Sequence, residues 1–241
     1  HTILNLYDKN GGQVTVCGYD MDTQEREAKD RLGLVLDEMM YEKGLSGLEN
    51  ARLYGRLYHY FNESLFLDLC ERFELPPNRK LGLLSTGFKV RFQFAFALSH
   101  NARLFLMDEP ASGLDPLFRK NLIHCMQDIV EDGTRSVLFS THITEDLDGT
   151  ASQILWLHDG EMKKNTSYDE LIMSYRLLYG TRQQVEAAEG EDIIYREHRE
   201  SRHLLFVRWT PRTQRLPFAE CRIPTLEDVM YYLMKGGKLN A

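Results

Sequence analysis

Four cysteines, Cys17, Cys70, Cys125 and Cys221, are scattered through 241 residues without a CxxC pair or a His/Cys cluster. That scatter argues against a zinc site and against a disulfide framework, and the expectation is buried, reduced thiols in a cytoplasmic protein. No apolar run approaches the ~18 residues that span a bilayer. The apolar runs are short, such as Leu104–Met107 and Leu204–Val207. No basic segment followed by an apolar one opens the chain, so no secretory signal is visible. Positive charge is scarce too: 29 Lys and Arg stand against 36 Asp and Glu, a net charge of −7. A duplex-binding protein carries a basic surplus to neutralise phosphates, so nucleic acid is not expected as a partner. There is no internal repeat and no low-complexity tract. What remains is an ordinary globular balance, 43% apolar and 27% charged, long enough for one large or two modest domains.

Up to about Leu178 short apolar runs alternate with amphipathic stretches, the rhythm of an α/β fold. Gln13–Cys17 alternates after the turn Asn10-Gly11-Gly12 and predicts a strand. Leu32–Leu36 predicts a second. Leu48–Tyr58 and Ser64–Phe73 have apolar residues at helical spacing, and Pro76-Pro77 stops the latter. Gly87–Ser99 predicts a helix, and Leu104–Met107 and Ser136–Ser140 predict buried strands. Between those strands Asp115 and Pro116 are set as N-cap and first-turn residue of a helix running to Asp132-Gly133. Asp159-Gly160 between Ile154–His158 and Glu161–Lys164 is a type I′ hairpin signal. From residue 179 the composition shifts. Arg182–Asp192 is polar without a clear period, Ile193–Tyr195 and Leu204–Arg208 predict strands, and Thr225–Met234 predicts a capped helix with Asp228 three residues after Thr225. Residues 179–241 are expected to form a small α+β unit.

The chemistry concentrates in Leu104–Pro116, LFLMDEPASGLDP. A buried strand that delivers Asp108 and Glu109 at its carboxyl end suits nucleotide hydrolysis, the first acid holding Mg²⁺ and the second polarising the attacking water. Alone, four apolar residues ending in two acids are an ordinary strand with an acidic turn. Two further features weigh against that reading. Leu84-Ser85-Thr86-Gly87 opens a helix, where a hydroxyl and backbone N–H groups meet an anion with the helix dipole behind them. Ser140-Thr141-His142 follows a strand, where a His can reach a phosphate or the attacking water.

The succession LSTG, LFLMDEP, SGLD, STH, in this order and spacing, resembles the nucleotide-binding domain of the ATP-binding cassette (ABC) ATPases over roughly residues 1–178. The run from Gly87 to Pro116 is most similar to ATPase subunits of bacterial export-type transporters, in which the ATPase is separate from the membrane subunit. The closing TLEDVMYYL is also similar to the end of many such subunits. The resemblance implies a P-loop NTPase-type α/β core, a β piece near the N-terminus, a helical subdomain over about residues 45–99, and the appended unit. It implies ATP and Mg²⁺ as cofactors. Asp108 would hold Mg²⁺ through water, Glu109 would act as general base, and His142 would contact the γ-phosphate. Ser85, Thr86 and Gly87 would form the signature motif that binds ATP held by the opposite subunit. Asp115 would cross the dimer interface, and Asp37 falls where the family has the Q-loop glutamine that contacts Mg²⁺. The partners implied are a second ATPase subunit, identical or homologous, and membrane-spanning subunits. The implied location is the inner face of the cell membrane.

The sequence departs from the family in three places. Phe88 stands where the signature has Gln, and Asp37 adds a charge where the family has an amide. Most consequentially, residues 1–241 contain no G-x-x-x-x-G-K-[ST] run to cradle phosphates. His1–Tyr7 followed by a turn and a strand resembles what comes just after a P-loop, so the sequence is expected to start inside that helix. Two other functions are weighed: a non-hydrolysing or asymmetric regulatory subunit, favoured by the missing P-loop, and a soluble ABC ATPase on ribosomes or DNA. Against the latter stand a single cassette, the acidic balance and the lack of a coiled coil. Phe92, Phe94, Phe96 and Leu98 are expected to pack the core. Tyr54, Tyr58, Tyr60 and Phe61 either pack internally or dock on a membrane subunit.

Overall fold

Parallel pairing of three apolar segments organises the first part of the chain. The computed structural model describes residues 2–36, 40–199 and 202–237, and contacts divide the chain into two compact units, His1–His142 and Ile143–Ala241. The composition boundary at 178/179 falls within a strand of the second unit, Tyr175–Gly180.

In the first unit the elements run β1 (Thr15–Val16), β2 (Tyr19–Asp20), α1 (Glu25–Lys29), β3 (Leu32–Val35), α2 (Gly47–Gly55), α3 (Glu63–Arg72), α4 (Thr86–Ser99), β4 (Leu104–Asp108), α5 (Pro116–Val130) and β5 (Ser136–Ser140). The strand expected over 13–17 shrinks to β1 because Cys17 (φ 49°) and Gly18 (φ 87°) turn the chain straight back into β2. Cys17 is therefore exposed, as is Cys221, which corrects the expectation of buried thiols. Cys70 is buried, and burial pushes its thiol up to about 12.

Strands β3, β4 and β5 form a parallel sheet in that order, with Leu34, Leu106 and Leu138 in register across it. Helix α4 lies close on β3 because residue 33 is glycine. A Cβ there would be 2.8 Å from Phe105 Cδ1 and 3.0 Å from the Ala97 Cβ. Helix α4 is apolar around most of its circumference, the mark of a helix buried between layers. Val90, Phe94 and Ala97 pack with Phe105 and Met107 of the sheet and with Leu122, Met126 and Ile129 of α5. Phe92 and Phe96, one turn apart, pack on the other side with Ala51 of α2 and Phe66 and Leu69 of α3. Each fully buried Phe contributes about 2–3 kcal/mol of transfer free energy, so the aromatic run is accounted for by packing. Helix α2 starts at a reciprocal Ser46/Glu49 capping box and stops at Gly55, three residues short of expectation, where any Cβ would strike the Phe61 ring. Strand β5 differs from expectation too. None of its residues is buried and Leu138 is 40% exposed, because among the described residues β5 pairs with β4 alone.

The second unit contains β6 (Gln153–His158), β7 (Glu161–Ser167), α6 (Tyr168–Met173), β8 (Tyr175–Gly180), α7 (Arg182–Ala187), β9 (Ile193–Arg199), β10 (Arg202–Arg208), β11 (Glu220–Arg222) and α8 (Leu226–Lys235). Asp159 (φ 50°) and Gly160 (φ 75°) both take the left-handed conformation a type I′ hairpin needs between β6 and β7. An antiparallel sheet follows in the order β11-β8-β10-β9. Helix α8 begins at a reciprocal Thr225/Asp228 box and buries Leu226, Val229, Tyr232 and Leu233 with Ile194, Leu204, Phe206, Ile154 and Trp156. Among the described residues no helix is long and apolar enough to cross a membrane.

Candidate functional site

The carboxyl ends of two neighbouring parallel strands bring the acids together. Register pairs Asp108, the last residue of β4, with Ser140, the last residue of β5. The next residue, Glu109, has φ 48°, a conformation that costs a non-glycine residue roughly 1–2 kcal/mol. Its amide N–H donates to both Ser140 O at 3.2 Å and Ser140 Oγ at 3.1 Å, while the Ser140 hydroxyl donates to Asp108 Oδ1. One serine thus ties the two acids to the neighbouring strand. Two residues further on, the His142 Nδ1 lies 2.8 Å from Glu109 Oε2. The His142 side chain is 70% exposed and that of Glu109 31%, so this pair faces an accessible surface.

A cleft of about 320 Å³ opens beside the acids, lined among others by Asp108, Glu109, Lys43, Thr86, Lys89 and Gln93. It sets two ammonium groups beside two carboxylates, which suits an anionic ligand that arrives with a cation. Thr86 and Lys89 belong to the first turn of α4. Ser85 is the N-cap of that helix, yet its side chain makes no capping hydrogen bond, so its hydroxyl is not committed to the helix end. Gly87 lies against the loop before α5. A Cβ there would meet Leu114 and Phe118 at 3.7 and 3.8 Å, ordinary contact distances, so neither backbone conformation nor packing within this chain demands glycine.

The structure thus brings Asp108, Glu109 and His142 into one network and places Thr86 on the same cleft. Asp115 has a structural task as N-cap of α5, its Oδ1 accepting the Phe118 N–H at 3.0 Å. Asp37 lies outside the described residues. Four participants, Ser140, Gln93, Lys43 and Lys89, were not anticipated as site residues. Ser140 could have been found by pairing the ends of the two predicted strands. Gln93 is signalled by being an amide on an otherwise apolar helix face. It is buried, and its side chain accepts the Leu36 N–H and donates to the Leu36 C=O, both at 3.0 Å. Lys43 carries no such signal.

Among the described residues no three His, Cys, Asp or Glu side chains cluster to cage a metal. Mg²⁺ does not need such a cage, because it is commonly held by one or two carboxylates plus substrate phosphates and water. Asp108, a hard oxygen donor at the cleft with Oδ1 already oriented by Ser140, fits that description.

A family model described as "AAA domain, putative AbiEii toxin, Type IV TA system" matches residues 72–148. The daunorubicin resistance ATP-binding protein DrrA2 of Streptomyces coeruleorubidus is 31% identical over 196 residues, covering 79% of this chain and 60% of the relative. The uncharacterized ABC transporter ATP-binding protein YdbJ of Bacillus subtilis (strain 168) is 27% identical over 167 residues, 68% of this chain and 54% of the relative. The ABC transporter ATP-binding protein NatA of the same organism is 29% identical over 181 residues, 72% of this chain and 73% of the relative. The chain therefore spans little more than half of the first two. Among solved structures, an ATP-binding subunit of an ABC transporter superposes with a TM-score of 0.64 at 22% identity, over 70% of this chain and 72% of that one. The dimeric ATP-binding cassette MJ0796, bound to ADP and Pi after hydrolysis, superposes with a TM-score of 0.60 at 23% identity, over 69% of this chain and 79% of that one. At these identities the superpositions speak for the fold.

Proposed function

We propose that the chain is an ATP-binding cassette (ABC) ATPase, as its fold and its sequence relatives support, and that it is the ATP-hydrolysing subunit of an ABC exporter. The observation that carries the proposal is the Asp108–Ser140–Glu109–His142 network at the carboxyl ends of β4 and β5. Residues 1–178 act as the cassette and residues 179–241 as an accessory unit. Two copies, or this chain and a homologous one, meet head to tail, and each supplies its Ser85-Thr86-Gly87 turn to ATP held by the other. The relaxed packing at Gly87 and the uncommitted Ser85 hydroxyl support a role whose demand comes from outside the chain. Asp115 lies at the same interface and Asp37 in the loop that senses the membrane subunit. The location is the inner face of the cell membrane, beside membrane-spanning subunits.

Within the site Glu109 takes a proton from the attacking water as its oxygen bonds to Pγ and the bond from Pγ to the β,γ-bridging oxygen breaks, that oxygen leaving on ADP with the electron pair, and His142 fixes the orientation of the Glu109 carboxylate. The positive φ at Glu109 turns the chain off the strand axis and lets that carboxylate meet His142. Asp108 would hold Mg²⁺, which, when bound, neutralises the charge developing on the phosphates. Lys43 and Lys89 attract the polyphosphate to the cleft. Closure on ATP and reopening after hydrolysis drive the membrane subunits through the helical layer of α2 and α3.

The test is ATP turnover by the full-length gene product beside Glu109→Gln. Loss of at least about a hundredfold in turnover with ATP binding retained is expected; unchanged turnover would refute the mechanism. The uncommitted Ser85 hydroxyl and the undemanding packing at Gly87 also fit a second reading, a subunit that contributes only the signature half of a partner's site. That reading predicts no turnover by the chain alone, and stimulation of a homologous ATPase that is lost on Ser85→Arg.

A further inference from the structure

A pair of histidines outside the cassette chemistry is placed as a chelate. His198 of β9 and His203 of β10 are direct cross-strand partners, so their side chains leave the same face of the sheet. Their Nδ1 atoms are 3.2 Å apart, with ring centroids 5.4 Å apart and planes inclined by 55°. β9 is an outer strand, His198 is exposed and His203 half-buried, so solvent ions reach the pair. Glu186 of α7 stands nearby. Its hydrogen bond with Arg182 and, in lesser degree, the two imidazoles hold its carboxyl below the usual range.

We propose that His198 and His203 form a bidentate site for a divalent ion of the zinc, nickel or copper class. Imidazole nitrogens bind such ions at about 2.0–2.1 Å. At that bond length two nitrogens 3.2 Å apart subtend about 100° at the ion, between the ~90° of square-planar or octahedral and the ~109° of tetrahedral coordination. Strand register holds the two backbones opposite each other, so only the side-chain torsions adjust on binding. In the ion-free pair one Nδ1 carries the proton and the other accepts it. The ion takes the lone pairs of both, and the donor ring moves its proton to Nε2 through solvent, so two neutral rings release no net proton. Among the described residues no third His, Cys, Asp or Glu completes the set, and water fills the remaining positions. The Glu186 carboxylate adds a negative field that favours the cation. The site clips β9 to β10, and it stands independently of the ATPase reading.

The experiment is calorimetric titration of the full chain with Zn²⁺ alone and with Ni²⁺ alone at neutral pH, beside His198→Ala, His203→Gln and, as control, His158→Ala. Each of the first two is expected to weaken binding about tenfold or more, and the control to leave it unchanged. Copper(II) spin resonance of the unaltered chain supplies a readout that needs no variant, with two-nitrogen coordination expected at the first equivalent. Binding that survives both substitutions, or single-nitrogen coordination in the unaltered chain, overturns the proposal and leaves the pair as an N–H···N hydrogen bond only.

Discussion

Replacing Gln93 with leucine would remove one buried side-chain amide and both of its bonds to Leu36 while leaving α4 otherwise as well packed as before. Each bond contributes a net ~0.5–1.5 kcal/mol, so the pair contributes about 1–3 kcal/mol. Leu36 is only half-buried, so water recovers part of what its N–H and C=O lose, and the new apolar side chain regains some transfer free energy. The expected net destabilisation is about 1–2 kcal/mol. With a urea m-value of about 2 kcal/mol/M, the middle of the usual range, that lowers the midpoint of the first unit by roughly 0.5–1 M. Both tryptophans, Trp156 and Trp209, belong to the second unit, so the transition must be followed by far-ultraviolet circular dichroism and by hydrogen exchange at the Leu36 amide. Gln93→Glu sharpens the test. A carboxylate there still accepts the Leu36 N–H but opposes the Leu36 C=O, and burial raises its pKa. This variant should be least stable when the carboxyl is ionised and recover as pH falls through the folded-state value, where a protonated carboxyl can again donate. Unaltered Leu36 protection and midpoint in Gln93→Leu would refute the view that this amide ties α4 to the end of β3.

Three other outcomes follow from groups already described. His100 is buried and stacked on Tyr58 with ring centroids 3.9 Å apart, and burial pushes its imidazole down to about 4. The folded state holds it neutral while the unfolded state takes up a proton below about 6.5. Its contribution of about 3 kcal/mol is complete above pH ~6.5 and lost between there and pH ~4. His100→Phe should flatten that part of the stability–pH curve, and an unchanged curve would discredit the assignment. Glu109→Gly relieves the positive φ but adds freedom to the unfolded chain, so it should leave stability within about 1 kcal/mol of the parent while abolishing turnover. A loss of several kcal/mol in a denaturant titration would show that the carboxylate holds the fold. Ser140→Ala should reduce turnover about 10–100-fold, since it orients both acids without touching substrate, with little change in melting temperature; undiminished turnover would remove Ser140 from the mechanism.

Features governed by local chemistry were legible before any coordinates. The Asp159-Gly160 hairpin needs two left-handed residues, the Thr225/Asp228 box needs two side chains three apart, and the acids end an apolar run; each is written in adjacent residues. Helix α7 was also written locally, in Thr181 and Gln184 as a reciprocal capping pair, but the polar Arg182–Asp192 stretch hid its one buried apolar residue, Val185. The length of β1 depended on Cys17 adopting positive φ, which residue type does not announce. Within the site, Asp108, Glu109 and His142 were found through motif order. Ser140 and Gln93 act through partners far along the chain, Asp108 and Leu36, so their roles emerge only when strands and helices are brought together. The exposure of β5 was misjudged because SVLFS has the composition of an interior strand while sheet order puts it at an end.

That last point has a practical corollary. Among the described residues, β5 pairs on one side only, and it turns Leu138 toward solvent beside backbone groups open to a further strand. A strand from elsewhere in the protein or from a partner that added to this rim would cover Leu138 and extend the parallel register of β3, β4 and β5. A lysine in place of Leu138 would oppose that addition while leaving Ser140, two residues along the same strand, to hold the acids.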